Sequence, residues 1–268
     1  AHQTFQWSSE ARGKAAVHCV IIGFALHDAE DKRIFDYETV QAEPHEVTVK
    51  NINPYLVDVG DLVIARRGKP ICPVPEIGIG NKPIDGGHYL FKPEERDEFL
   101  KREPAAAPYF RRWLGADEFL NGYDRWCLWL GDCPPDVLKR MPEAMKRVEA
   151  VRRYRLDSKS APTRKLAAAP TRFHVENMPE SNFLVIPEVS SERRIYIPLG
   201  FITPEILCSN KLRIFQNATL YHFGVLSSFM HMAWTRYVTG RLKSDYQYSI
   251  SIVYNNFPWP QTQTDQQK

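Results

Sequence analysis

Apolar residues near the start of the chain do not alternate; they run. Val17 to Phe24 is almost continuously apolar, the pattern of a strand covered on both faces inside a mostly parallel sheet. Thr4–Trp7 offers it a hairpin partner across a turn near Arg12, Gly13 and Lys14. A lone hairpin is marginal in water, so the pattern predicts that the N-terminal part of a larger α/β domain precedes this chain. Further on the apolar runs are short and close together. Asp28–Pro44 is charged and reads as an exposed connection. Val47–Val49 and Leu62–Ala65 read as strands about a turn at Asn51–Pro54. Lys69–Gly87 holds too much Pro and Gly for regular structure, and its glycines permit close backbone approach to another molecule. A structural wrap over the core suits it equally.

Helical spacing predicts a charged helix over Pro93–Leu100 and short helical pieces at Pro108–Leu114 and Ala116–Leu120. Arg125–Leu130 reads as a strand closed by Gly131–Pro135. Met141, Met145, Val148 and Val151 recur at helical spacing behind Pro142, which suits a first turn. The helix ends near Asp157 in a polar loop. Phe183–Pro187 and Arg194–Pro198 read as an antiparallel pair, with Pro198 at a strand end. Leu199–Ile202, Leu212–Phe215 and Ala218–Tyr221 follow as strands, Ser228–Arg241 as a helix and Tyr248–Val253 as a last strand. The predicted class is α+β: mixed short-strand sheets with several helices, preceded by a β-hairpin left over from an α/β domain. The division expected is 1–46 for hairpin and connection, 47–260 for the main domain and 261–268 for a polar tail.

The net charge of +3 says little about partners, but its distribution says more. Between Lys139 and Arg172 stand eleven Lys/Arg against three acids, Glu143, Glu149 and Asp157. A neutral surface helix would interleave acids at i, i+4. Dense positive charge beside Ser158, Ser160 and Thr163 is what a phosphate backbone selects; a solvated helix face is the bland alternative. Arg147, Arg152, Arg153, Lys159, Arg164 and Lys165 are the phosphate candidates. The five cysteines form no C-x-x-C pair and show no zinc-site spacing. His222 and His231 have no third ligand nearby, so no metal is expected. No apolar run approaches a membrane span. A cytoplasmic protein with reduced thiols and no membrane contact is the expectation.

The block Phe5-x-Trp7-x-x-Glu10-Ala11-x-Gly13-Lys14-Ala15, running into an apolar strand, resembles the last conserved block of N6-adenine DNA methyltransferases, above all the MmeI-like (type IIL) restriction–modification enzymes. Gly80–Gly87, Arg125–Cys133, Ser158–Ala167, Val189–Arg194, Tyr221–Trp234 and Gly240–Pro260 resemble blocks of that family's target recognition domain, in family order. The resemblance implies sequence-specific recognition of double-stranded DNA, with Phe5 stacking on a flipped adenine in the full-length parent and Trp7 as second choice. A core role for both rings is the alternative.

The family's glycine-rich S-adenosylmethionine turn and its Asn-Pro-Pro-Tyr/Phe tetrapeptide are absent. Asn53-Pro54-Tyr55 is the nearest approach, and Pro134-Pro135 follows Cys133 where the family has Asn. This chain is therefore expected to need no cofactor and to be inactive by itself. The S-adenosylmethionine and the chemistry would belong to the rest of a parent adenine-specific methyltransferase, the methyltransferase domain being its partner. Base reading needs paired donors or acceptors on a loop or helix start. Ser191, Glu192 and Arg194 at a strand turn, with Arg193 as an alternative to Arg194, and Ser228, Phe229 and Met230 at a helix start are the candidates. Lys82 and Asp85 in the glycine-rich loop are candidates near the flipped base. A charged hairpin tip and a plain helix cap are the structural alternatives. Tyr248, Tyr254 and Trp259 read as packing residues. Two other functions remain open: the specificity subunit of a multi-subunit restriction–modification system, and a protein-binding module that does not touch DNA.

Overall fold

The computed structural model describes residues 1–8 and 16–261. The expected turn at Arg12–Lys14, with the rest of the block from Glu10 to Ala15, and the tail from residue 262 lie outside them. β1 (His2–Ser8) and β2 (Ala16–Ile21) form the expected hairpin, with Phe5 opposite Cys19 and Trp7 opposite Val17. The connection after it is not irregular. β3 (Lys32–Asp36) runs parallel to β1 and pairs antiparallel with β4 (His45–Val49), giving the order β2-β1-β3-β4. The flanking charges hide one short alternation, in which Ile34 alone is buried. β4 crosses residue 46, so the first sheet extends past that point. The apolar run expected under cover on both faces is open: Val17, Val20, Ile21 and Ile22 are each about half exposed and Phe24 almost fully so. Leu62–Ala65 forms no strand.

The main body holds β5 (Gly78–Ile79), β6 (Leu90–Phe91), α1 (Pro93–Arg102), β7 (Phe110–Leu114), α2 (Ala116–Asn121), β8 (Trp126–Leu128), α3 (Pro135–Leu138), α4 (Pro142–Leu156) and α5 (Ala161–Lys165). It continues through β9 (Phe183–Pro187), β10 (Val189–Ser190), β11 (Gly200–Ile202), β12 (Leu207–Cys208), β13 (Leu212–Phe215), α6 (Leu220–Leu226), α7 (Phe229–Val238), β14 (Gly240–Leu242) and β15 (Asp245–Gln247). Three small sheets result, ordered β12-β7-β8-β6, β11-β9-β13-β5 and β10-β15-β14. The class is α+β with mixed short strands.

Four local expectations change. Pro108 closes a 3-10 turn over Pro104–Tyr109, and Phe110–Leu114 then extends as a strand against β8, burying Phe110 and Trp113. Arg194–Pro198 is not a strand; β9 is flanked by β11 and β13, so no edge is left for it. Leu220 starts a helix, capped by Thr219 and His222, where a strand was expected. Ile250–Tyr254 winds into a π turn, with Ser249 accepting from the Ile252 N–H. Short apolar runs carry no period, so their geometry is decided by which neighbours bury them.

One apolar core gathers Phe91, Phe99, Phe110, Trp113, Trp129 and Val151 beneath α1 and α4. A second holds Leu184, Phe215, Met232, Tyr248, Tyr254 and Trp259 beneath α6 and α7. Tyr248, Tyr254 and Trp259 are thus packing residues. The glycine-rich segment is stitched between the sheets by bridges from Asn81 to Ser209 and from Lys82 to Val175. A Cβ on Gly80 would stand 2.3 Å from the Ser209 carbonyl oxygen and 2.5 Å from that of Cys208, so only glycine fits.

Candidate DNA interface

The basic helix α4 begins at Pro142 and buries Ala144, Val148, Val151 and Arg155 along one side. Met145 lies outside that stripe, partly exposed. Arg155 is the most buried cation among the described residues, at 1% exposure. Its Nε donates to the Ile84 carbonyl, and its two terminal nitrogens donate to the carbonyls of Leu166, Ala169, Pro83 and Arg172, all at 2.8–3.0 Å. Five backbone oxygens from two loops therefore converge on one guanidinium, whose planar donor fork suits them.

The same contacts join two segments that sequence treats separately. The loop Gly80–Gly87 packs onto the second half of α4, with the exposed Gly86 at a φ of +64° and a Cβ there only 2.8 Å from the Tyr154 ring. Ile84 is held at a φ of +50°, a conformation unusual for a β-branched residue, and Arg155 Nε fixes its carbonyl. Asp85 is buried and accepts from the backbone N–H groups of Gly87 and Tyr89 at 3.1 and 2.9 Å, so its carboxylate shapes the loop and does not face outward. Lys82 is exposed beside it.

The phosphate candidates divide by their company. Arg147 is half-buried, 4.6 Å from the Phe91 ring centroid, and donates to the His88 carbonyl. Arg152 and Arg153 are exposed but share Glu149, at 3.9 and 3.2 Å. Lys159, Arg164 and Lys165, around the start and end of α5, are exposed, and among the described residues none has a carboxylate within 4.0 Å. Arg164 donates to the Ser158 and Lys159 carbonyls, which holds the start of α5 in shape.

The two reading segments belong to one ridge. β10 pairs with β15 and leads straight into a turn at Ser191–Arg194, where the Arg194 N–H donates to the Ser191 carbonyl and the Glu192 N–H to Asp245 Oδ1. Arg193 and Arg194 are exposed; Ser191 and Glu192 are half-buried. The chain continues through exposed Ile195 and Tyr196, and Arg236 of α7 donates to the Ile195 carbonyl at 3.4 Å. Ser228 caps α7, its hydroxyl accepting from the His231 N–H. Phe229 and Met230 stand 65% and 70% exposed at that end. The outer face of α7 carries on through Arg236 and Tyr237, which sequence reading passed over; their spacing from Phe229 and Met230 is a helical face that could have been read.

In the first sheet Phe5 is half-buried and stacks on Tyr37, with ring centroids 5.3 Å apart and 21° between planes. Trp7, the next residue along the same strand face, is half exposed. His222 Nδ1 meets Thr219. His231 is buried, its Nε2 3.0 Å from the Tyr248 hydroxyl, and burial pushes its pKa down to about 3. All five cysteines are free.

Comparison with known proteins gives this strand-rich body, with its arginine-braced loop and cation cluster, a family. Residues 58–261 match the MmeI target recognition domain, and residues 1–36 match the MmeI DNA-methyltransferase domain. The chain belongs to the MmeI target recognition domain family. It is 37% identical over 265 residues to DNA methyltransferase A of Bacillus subtilis (strain 168), a match that covers 98% of this chain and 30% of that protein. The fold matches a solved structure of the Type IIL restriction–modification enzyme MmeI in complex with DNA at a TM-score of 0.93 and 45% identity, over 99% of this chain and 36% of that one. The chain thus spans about a third of the length of these relatives. Among the described residues no helix is long and apolar enough to cross a membrane.

Proposed function

We propose that this chain grips duplex DNA and reads a short sequence on behalf of an N6-adenine DNA methyltransferase. The observation that carries this reading is the match of residues 58–261 to a target recognition domain, beside the whole chain's 45% identity to an enzyme whose structure was solved with DNA. Two features of the chain's own surface support it. Lys159, Arg164 and Lys165 form a cation cluster with no carboxylate within 4.0 Å among the described residues, and the turn at Ser191–Arg194 is tied to α7 through Arg236. Affinity then comes from lysine and arginine on phosphate, and specificity from Ser191, Glu192, Arg194 and the Ser228–Met230 helix start. Lys82 on its braced loop is a further contact. Asp85 acts indirectly, by holding that loop's backbone.

The methylation chemistry and S-adenosylmethionine belong to the rest of the parent chain. The exposed apolar side of β2 is the surface against which that methyltransferase domain packs, and Phe5 or Trp7 is the ring offered to a flipped adenine. The match of residues 1–36 to a methyltransferase domain favours this over a separate specificity subunit.

The test is fluorescence anisotropy with labelled duplexes over a salt series. The chain is expected to bind duplex DNA, with log K falling linearly against log salt. Replacing Lys159 and Lys165 by Ala should flatten that slope by about 0.9 for each phosphate no longer neutralised. Absence of duplex binding at low salt would return α4 and α5 to a solvated surface and the chain to the protein-binding class.

A further inference from the structure

A second cationic cleft lies away from α4 and α5, on a segment that neither the motifs nor the proposed readers include. Residues 64–71 cross the surface as a strap without ladder partners, bending at Gly68, Lys69 and Ile71. Their backbone is nonetheless held at Ile64, Ala65, Arg67 and Ile71. The Arg67 N–H donates to the Ser251 carbonyl at 2.9 Å and the Ile71 N–H to the Asn255 carbonyl at 2.9 Å. Asn255 and Asn256 donate from their side-chain amides to the carbonyls of Arg67 and Ala65, at 2.8 and 3.1 Å. Ile64 donates its N–H to the Tyr55 hydroxyl at 2.8 Å. The strap is fixed by backbone atoms, which frees its side chains.

Those side chains are Arg66 and Arg67. Both are exposed, and among the described residues neither has a carboxylate within 4.0 Å, whereas Lys69 has Glu76 at 3.7 Å. They line a cleft of about 650 Å³. It is also lined by Gly240 and Gln247 of the β14–β15 hairpin, the hairpin whose β15 pairs with β10 ahead of the Ser191–Arg194 turn. Ser249 and Ser251 are among its lining residues. The acid that lines it, Glu188, is already matched by Lys211 at 2.9 Å and Arg213 at 3.0 Å. The cleft is therefore positive, open, supplied with hydroxyl groups and rigidly framed, the combination that tracks a phosphate backbone. Preorganisation matters because little side-chain and loop ordering is left to oppose binding.

We infer that Arg66 and Arg67 form a second phosphate clamp, holding the DNA backbone beside the reading turn and so setting the register in which that turn meets the bases. This rests on the proposed reading of the chain as a DNA-recognition module, and the experiment separates the two. The 268-residue chain and its R66Q/R67Q and R66K/R67K variants are titrated with a labelled duplex at several salt concentrations. The glutamines keep a polar side chain and remove charge; the lysines keep charge. Because the strap is held by backbone, all three proteins should unfold at the same temperature. The glutamine variant should weaken binding to every duplex alike and flatten the slope of log K against log salt by nearly two, at about 0.9 per phosphate. The lysine variant should retain the wild-type slope. If wild type binds and the glutamine variant has the same slope, the clamp is wrong while the DNA reading stands. A loss of affinity without a slope change, a loss confined to one sequence, or a lysine variant as weak as the glutamine one would equally overturn it. If wild type binds no duplex, the underlying reading fails first.

Discussion

Arg155 links two loops that differ in everything except their need for a donor. Pro83, Ile84, Leu166, Ala169 and Arg172 each present a carbonyl to it, and no other type of side chain carries five donors in one plane. Its replacement by Ala should cost at least about 3 kcal/mol, since each buried carbonyl left unpaired costs about 1–3 kcal/mol. Lysine, with three donors at a single point, should recover only part of that. Urea unfolding of both variants checks this; a loss below about 1 kcal/mol would mean water replaces the guanidinium. At the same scale His231 couples stability to pH. Its ring is neutral when folded, with a pKa near 3, against 6.5 in the unfolded chain. Between those values the unfolded state binds the extra proton, so stability is full above about pH 6.5 and falls by about 1.4 kcal/mol per unit below it. His231→Phe should show a flatter acid limb when denaturation is compared at about pH 7.5 and about pH 5. Equal acid losses in both proteins would exclude the coupling.

At the scale of elements, strong helical periods were legible and short apolar runs were not. α1, α4 and α7 follow their spacing, and Pro142 and Ser228 mark two of their starts. Phe110–Leu114, Leu220–Leu226 and Ile250–Tyr254 took another form because a short apolar run fits a strand, a helix or a turn equally well. The burying neighbour then decides. The glycine-rich segment shows the same dependence: it looks loose in sequence, yet Gly80 presses against the backbone of Cys208 and Ser209. Gly80→Ala should therefore cost about 1–3 kcal/mol by overpacking, with the sheet β11-β9-β13-β5 loosened first. Hydrogen exchange should show faster exchange of β13 and β5 amides in the variant. Unchanged protection there would mean that the 208–209 backbone yields freely.

For the whole molecule, the placement of the candidate readers makes a prediction that no single element makes. Glu192 and Arg194 sit on a turn anchored to the β14–β15 hairpin and joined to α7 through Arg236. Substituting Arg194 or Glu192 should change the base accepted at one position, at a loss of about 1–3 kcal/mol for the original base. Non-specific affinity and its salt slope should stay near wild type. Sequencing the sites methylated by parent enzymes carrying these changes measures it. Variants that keep the original site while folding normally would move base reading to the loop Gly80–Gly87 or to Arg236 and Tyr237.

The α+β class and the basic helix could be read from residues alone, because each rests on local composition or on a period within one stretch of chain; the family blocks and their order were read by resemblance. The tertiary structure alone decided which charges are free. Arg155 and Asp85 look like their neighbours in sequence, yet both are buried and engaged with backbone, whereas Arg66 and Arg67, just past the strand expected at Leu62–Ala65, stand exposed on a fixed strap. Burial and pairing are properties of what a fold brings near, across separations such as the 71 residues between Ile84 and Arg155, and no local pattern encodes them.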